Sequence, residues 1–238
     1  MVTKNQIKLV TSLQQKKYRS KHGLFVVEGK KLVAELLDSG IKCFQLFVDN
    51  VGKTTDFDGA DEVPTSILKQ MGSMANPSGV LGVFHIPEAQ KIEETDWIVA
   101  LEAVRDPGNL GTIIRLCDWF GIKSLVCSED TADCYNPKVL QATMGSIARV
   151  NVSYVDLPGF LKTTKLPIYG AFMQGDVVYG MALPKKGVLV MGNEANGISD
   201  EISVLINERI SIPQFGDATA ESLNVATATA ILLSEIRR

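Results

Sequence analysis

The chain has 238 residues, of which 45% are hydrophobic and 21% charged, with a formal net charge of −3. These are the proportions of a soluble globular enzyme with room for one large domain or two small ones. No apolar run approaches the roughly 20 residues of a membrane span, and Met1–Lys21 is too polar for a secretory signal. The four cysteines (43, 117, 127 and 134) form no CxxC pair, which reads as packed, reduced thiols in a cytoplasmic protein. With only His22 and His85 beside them, no structural metal site is expected.

The charge is uneven. Residues 1–31 hold eight of the 24 Lys and Arg side chains against one acid, Glu28, a local charge of +7. The remaining 207 residues hold 16 bases and 26 acids, or −10. Affinity for phosphates follows local charge, so this arm suits a polyanion, with Lys16, Lys17, Arg19, Lys21 and Lys30 as its candidate contacts. A solvated lysine-rich helix is the plain alternative.

In chain order, Leu9 to Tyr18 predicts a helix and Leu24–Glu28 a short strand. A helix over Gly29–Ser39 follows, with Leu32, Leu36 and Leu37 on one face and a stop at Gly40. Phe44–Val48 reads as a strand, 49–61 as a loop, Asn76–Gly79 as a turn and Val80–Phe84 as a closing strand. The polar stretch Pro87 to Thr95 reads as a linker. From Trp97 onward, short apolar strands (Trp97–Leu101, Ser124–Cys127, Ile168–Phe172, Val188–Met191, Arg209–Ile212, and Val150–Val155 as a further one) alternate with helices over 110–120, 137–146, 157–164, 199–207 and 223–237. That alternation predicts an α/β domain with a parallel sheet covered on both faces. The last helix is apolar nearly all round, which places it in the core or at a subunit interface.

Three blocks share one grammar, an apolar run, a Gly- and Asn-bearing turn and a helix start: 105–121, 188–199 and 212–238. Such turns converge at the carboxyl edge of a parallel sheet, where open α/β folds bind ligands. In the first, Arg105 and Arg115 flank the turn Pro107–Gly108–Asn109, whose free N–H groups suit an anion or a nucleotide; a surface ion pair is the alternative for either arginine. In the second, Gly192 and Gly197 bracket Glu194, fitting either close backbone approach to a ligand or turn geometry alone. Ser199 is placed to cap the next helix. In the third, Ser222 is placed to cap the last helix, and Asn224, one turn into it, needs partners for a buried amide.

Together, NLGTIIR (109–115), GNEANGIS (192–199) and IP…G…SLNVATATA…E…R ending at Arg237 resemble the three signature motifs of the SpoU/TrmH family of RNA ribose 2′-O-methyltransferases, within the SPOUT superfamily. Residues 12–40 resemble the family's N-terminal substrate-binding domain. The resemblance implies an N-terminal α/β RNA-binding domain over 1–88, shaped like the ribosomal proteins that grip kinked RNA, a linker over 89–95, and a methyltransferase domain over 96–238. The last would hold a deep C-terminal trefoil knot, which ordinary connection rules would not produce. It implies S-adenosylmethionine held at Met191, Gly192, Ile212, Gly216 and Leu223, and a homodimer packed through the knot, with RNA bound near the subunit boundary by the basic arm and Arg105. By the same resemblance Arg115 acts on the ribose hydroxyl, and Asn109, Glu194, Asn224 and Ser222 orient it and the nucleotide. The substrate expected is ribosomal rather than transfer RNA. A non-catalytic RNA-binding or ribosome-assembly factor on the same fold is the alternative, and it gives the Asn109, Arg115, Glu194 and Asn224 set no chemical task. One departure stands out: the five residues between Gly216 and Ser222 are about two more than the family pattern.

Overall fold

The computed structural model describes residues 2–52, 57–216 and 222–238. The chain divides into two compact units, Met1–Ala89 with Asp133–Arg149, and Gln90–Ala132 with Val150–Arg238.

The first unit opens with helix α1 (Lys4–Ser12), started by a capping box in which Thr3 and Gln6 satisfy each other's backbone N–H. The helix predicted over 9–18 is in fact split: α1 ends at Ser12, and α2 (Lys16–His22) begins anew and stops at Gly23 in the left-handed region. Strand β1 (Leu24–Glu28), α3 (Lys30–Asp38), β2 (Cys43–Val48), the two-residue β3 (Asp61–Glu62), α4 (Thr65–Met71) and β4 (Val80–His85) follow. The four strands form a sheet in the order β1-β4-β2-β3. Val10 and Leu13 pack on Leu24, Val26, Phe47, Leu68, Met71, Leu81 and Val83 in its core. The unit is completed by Asp133–Arg149, which carries α6 (Pro137–Thr143) and a 3-10 turn.

Arg19 is therefore no part of the basic surface. It is 3% exposed, donating Nη2 at 2.5 Å and Nε at 3.1 Å to Asp133 Oδ2 and Nη1 at 2.8 Å to Leu13 O. Beside it Tyr135 packs on Phe25 with ring centroids 4.7 Å apart.

The second unit holds β5 (Ile98–Leu101), α5 (Pro107–Trp119), β6 (Ser124–Ser128), β7 (Asn151–Val155), α7 (Leu157–Thr163), β8 (Ile168–Val177), β9 (Val188–Met191), α8 (Asp200–Ser203), β10 (Glu208–Ser211) and α9 (Val225–Ile236). The predicted parallel sheet is present, six strands in the order β10-β8-β9-β5-β6-β7, with every pairing parallel. Its central strands β5 and β9 are buried throughout, as their unbroken apolar sequences require. β8 runs past its predicted end. Its residues 171–175 swing out between the pairs Gly170–Arg209 and Asp176–Ile210 before it rejoins β10.

Helix α9 packs along α5 and buries Val225, Ala226, Thr229, Leu232 and Leu233. Its far end is fastened by Arg237, which donates to both oxygens of Asp96 at 2.9 and 2.7 Å and to Phe120 O at 2.8 Å. Arg237's hydrogen bonds hold the Asp96 carboxyl below its ordinary value of 3.8.

Two outcomes follow from these ion pairs. Asp133→Ala strands a buried guanidinium and is expected to cost about 3 kcal/mol in urea unfolding, whereas Arg149→Ala, which removes an exposed pair with Glu35, costs less than about 1 kcal/mol. Because the folded Asp96 pKa is depressed, its contribution is present above its ordinary value and is lost as pH falls through the folded one. The stability gap between wild type and Asp96→Asn, about 1 kcal/mol, should be constant above about pH 5 and close in acid.

Candidate functional site

The three Gly/Asn turns meet at the carboxyl ends of β5 and β9 and at the start of α9. Asn109, in the first turn of α5, donates its side-chain amide to Glu194 Oε1 at 2.9 Å, and its Oδ1 accepts from Asn224 Nδ2 at 2.8 Å. One amide thus joins residues 85 and 115 positions away in the chain. Asn224 does more than pair with it. It is the N-cap of α9, its Oδ1 accepting from Ala226 N and Thr227 N at 3.0 and 3.2 Å. The expectation of Ser222 as cap, with Asn224 inside the helix, is corrected accordingly. Ser222 is exposed and stands two residues before the cap.

The expected anion seat on the 107–109 turn is also corrected. Asp106 caps α5 and accepts from Asn109 N at 2.8 Å, so a carboxylate already occupies that N-terminus and opposes another anion there. Arg105 is ion-paired with Asp130 at 3.0 Å, both exposed. A hydrogen bond from the Ser128 hydroxyl, and then the Arg105 guanidinium, hold the Asp130 carboxyl below its ordinary value.

The two glycines around Glu194 serve the turn. A Cβ on Gly192 would lie 2.2 Å from the carbonyl carbon of Gly197, because the loop folds back on its own backbone, and Gly197 itself has φ +67°. Their requirement is thus internal to the loop, the plainer of the two readings. Ser199 caps α8 as expected, accepting from Ile202 N.

Four residues that shape the site were not among the sequence candidates. Asn193 donates to Ala103 O at 2.7 Å while its Oδ1 accepts from Ala195 N and Asn196 N, so it sets the turn carrying Glu194. Glu102 accepts from Ser199 N at 2.9 Å. Ser128 accepts from Ala103 N at 2.9 Å. Ala103 itself sits at φ +52°, a conformation that strains any residue with a Cβ. Asn193, adjacent to Glu194 in an NE pair between glycines, carried a usable signal; Ala103 carried none.

Arg115 is not part of the hydrogen-bonded set. It lies six residues beyond Asn109 on α5, about 9 Å along the axis and about 120° around it, with an exposed side chain that has no hydrogen-bond or ion-pair partner among the described residues. The positions matched to cofactor binding fall at the end of β9 (Met191, and Gly192 just past it, both buried), after β10 (Ile212, half-buried, and Gly216) and just before α9 (Leu223). Leu223 and Phe215 are exposed, 48% and 86%. Uncharged apolar side chains beside strand-end backbone suit a flat heteroaromatic ligand such as adenosine. The segment at 217–221, with Glu221, lies outside the described residues.

Residues 96–234 match the SpoU rRNA Methylase family and residues 4–82 the MRM3-like substrate binding domain. The chain belongs to the SpoU rRNA methylase family. Within it, the chain is 32% identical, over 98% of its own length and 97% of the relative's, to the 23S rRNA (guanosine(2553)-2'-O)-methyltransferase RlmP of Bacillus subtilis (strain 168). A solved TrmH-family structure from Porphyromonas gingivalis superposes with a TM-score of 0.88 at 38% identity, covering 100% of this chain and 98% of that one. The AdoMet-bound rRNA methyltransferase from Sinorhizobium meliloti gives a TM-score of 0.85 at 32% identity, covering 100% and 95%.

In this SpoU-family site, Asn193→Ala should cost about 1–2 kcal/mol by releasing both the Ala103 carbonyl and the Glu194 turn. Ala103→Val, β-branched at positive φ, should cost about 2 kcal/mol, while Ala103→Gly stays within about 1 kcal/mol of wild type. Thermal unfolding of the three variants checks the ordering.

Proposed function

We propose that this protein transfers the methyl group of S-adenosylmethionine to a ribose 2′-hydroxyl of ribosomal RNA. The observation that carries the reading is the Glu194–Asn109–Asn224 chain of hydrogen bonds, drawn from all three family motifs, in a chain that aligns end to end with an rRNA 2′-O-methyltransferase. Bound S-adenosylmethionine supplies an electrophilic sulfonium methyl. Met191, Gly192, Ile212, Gly216 and Leu223 would hold it, through backbone groups and apolar contact.

The chemical difficulty lies with the acceptor, because a ribose hydroxyl is a poor nucleophile at neutral pH. As the C–O bond forms and the C–S bond breaks, the hydroxyl proton must leave. A guanidinium stays protonated in proteins, so Arg115 does not serve as a simple base. Its free cation instead stabilises the developing alkoxide and fixes the neighbouring phosphate, the proton passing to a phosphate oxygen or water. Asn109, Glu194 and Asn224 form the fixed wall against which the nucleotide is oriented, with Ser222 at its edge.

The same reading assigns the rest of the molecule. Residues 1–88 bind RNA, supported by the substrate-binding domain match and the exposed Lys16, Lys17, Lys21 and Lys30. Arg105 joins them when a phosphate displaces Asp130. Residues 89–95 are the linker, and 96–238 form the methyltransferase domain, its chain threaded as a trefoil knot. Two copies pair through the knot region and place the RNA near their boundary, in the cytoplasm. Among the described residues no helix is long and apolar enough to cross a membrane, and no cluster of metal-binding side chains occurs.

The decisive experiment incubates the protein with methyl-labelled S-adenosylmethionine and unmodified ribosomal RNA transcript, then digests the product to nucleosides. Label in a 2′-O-methyl nucleoside is expected; label on a base, or none with the cofactor demonstrably bound, overturns the reading. Arg115→Ala should lower kcat at least about 100-fold and leave S-adenosylmethionine affinity unchanged. Near-normal turnover would remove Arg115 from the mechanism.

A further inference from the structure

The loop that carries Glu194 hangs from two consecutive residues of the β5–α5 connection. Asn193 Nδ2 donates to Ala103 O at 2.7 Å near one end of it, and Ser199 N donates to Glu102 Oε2 at 2.9 Å at the other. Between them the loop closes on itself, Asn193 and Gly197 exchanging two backbone hydrogen bonds of 2.9 Å. Ala103 offers its carbonyl to Asn193 from φ +52°, a conformation that a residue with a Cβ leaves unless it is held. Its N–H side is held by the Ser128 hydroxyl, which accepts from Ala103 N at 2.9 Å. That hydroxyl has one proton to give, and it goes to the carboxylate of Asp130 at 2.7 Å. The oxygen lone pairs are thereby left for Ala103 and for the Thr131 hydroxyl at 3.0 Å. Ser128 is half-buried at the end of β6, a strand outside all three motif blocks.

We propose that Ser128 is a positioning residue for the methyl transfer: through Ala103 and Asn193 it sets the Glu194 turn, and with it the Asn109 amide, against which the nucleotide is oriented. This rests on the reading of the chain as an RNA ribose methylase. Without the hydroxyl, the Ala103 N–H loses this partner and φ returns to the negative values that a Cβ favours. That rotation turns the carbonyl away from Asn193, which anchors the root of the loop, and Glu194 at the exposed tip follows. A displacement of about 1 Å is enough to misalign the reacting atoms. The plainer use of this serine is to shape the local turn in which Thr131 N donates to Ser128 O at 3.1 Å. That bond is made by backbone groups and survives loss of the hydroxyl, so it gives the contact with Ala103 no task.

The test compares variants below their unfolding transitions, with unmodified ribosomal RNA transcript and saturating S-adenosylmethionine. Ser128→Ala should lower kcat about 10- to 100-fold while KM for RNA and affinity for S-adenosylmethionine stay within about twofold of wild type. Ser128→Thr, which keeps the hydroxyl, should retain most of the rate. Adding Ala103→Gly to Ser128→Ala should recover most of it, because a glycine adopts positive φ without being held. In the isotope-labelled free protein, the Asn109 side-chain amide resonance should move in Ser128→Ala and return in both rescued variants. A loss of stability alone moves neither that resonance nor kcat. Unchanged kcat overturns the proposal, as does a loss that Ala103→Gly fails to repair, or a lowered kcat with the Asn109 resonance unmoved. A wild type that labels no RNA overturns the methylation reading instead. The Asn109 resonance then still supports the link from Ser128 to the loop if it moves, and overturns it if it does not.

Discussion

Asn109 spends the two ends of one amide on two other loops, and the geometry of the site rests on that division. Its N–H reaches Glu194 and its carbonyl oxygen accepts from Asn224. The orientation of the amide is therefore fixed by its partners: a carboxylate only accepts, and Asn224 has already given its own oxygen to the N–H groups of α9. An aspartate at 109 would face Glu194 with like charge, and a leucine would leave both partners unmet. The cap of α9 and the position of Glu194 become linked through a single planar group.

Behind that amide sits a second ring of contacts that holds the loops themselves. The strained backbone of Ala103 is gripped on its N–H side by Ser128, the last residue of β6, and on its carbonyl side by Asn193, after β9. Strain of this kind persists only where neighbours over-determine the conformation, and here the neighbours are the two strands flanking β5. Glu102 adds a third tie, to Ser199. The loops are thus set by strand order before any ligand arrives, which is what a site built for alignment requires. Arg115, by contrast, has no hydrogen-bond or ion-pair partner among the described residues.

Much of this was legible in the chain. Val188–Met191 is four apolar residues ending at a glycine, and the strand has those bounds; the alternation after residue 97 gave the parallel sheet because strands buried on both faces must be apolar at every position. What escaped is what depends on distant partners. No local pattern announces that Arg19 will be buried against Asp133, 114 residues away, so it read as one more cation in a basic arm. Ser222 and Asn224 are both good capping residues, and the choice falls to Asn224 because its other end meets Asn109. The detour of β8 at 171–175 was unread for a similar reason: its register is dictated by β10, which comes later in the chain.

The discontinuous make-up of the first unit bears on how the protein is born. Ribosomes release the chain from its N-terminus, and the unit's last piece ends at Arg149, sixty residues after Ala89. At about 5–20 residues per second that is a delay of roughly 3–12 s, during which Arg19 and the Phe25 face lack their closing partners. The nascent sheet must wait, partly open, for a segment that arrives only after the first two strands of the neighbouring unit have been synthesised. Its folding is vectorial in synthesis but not in completion.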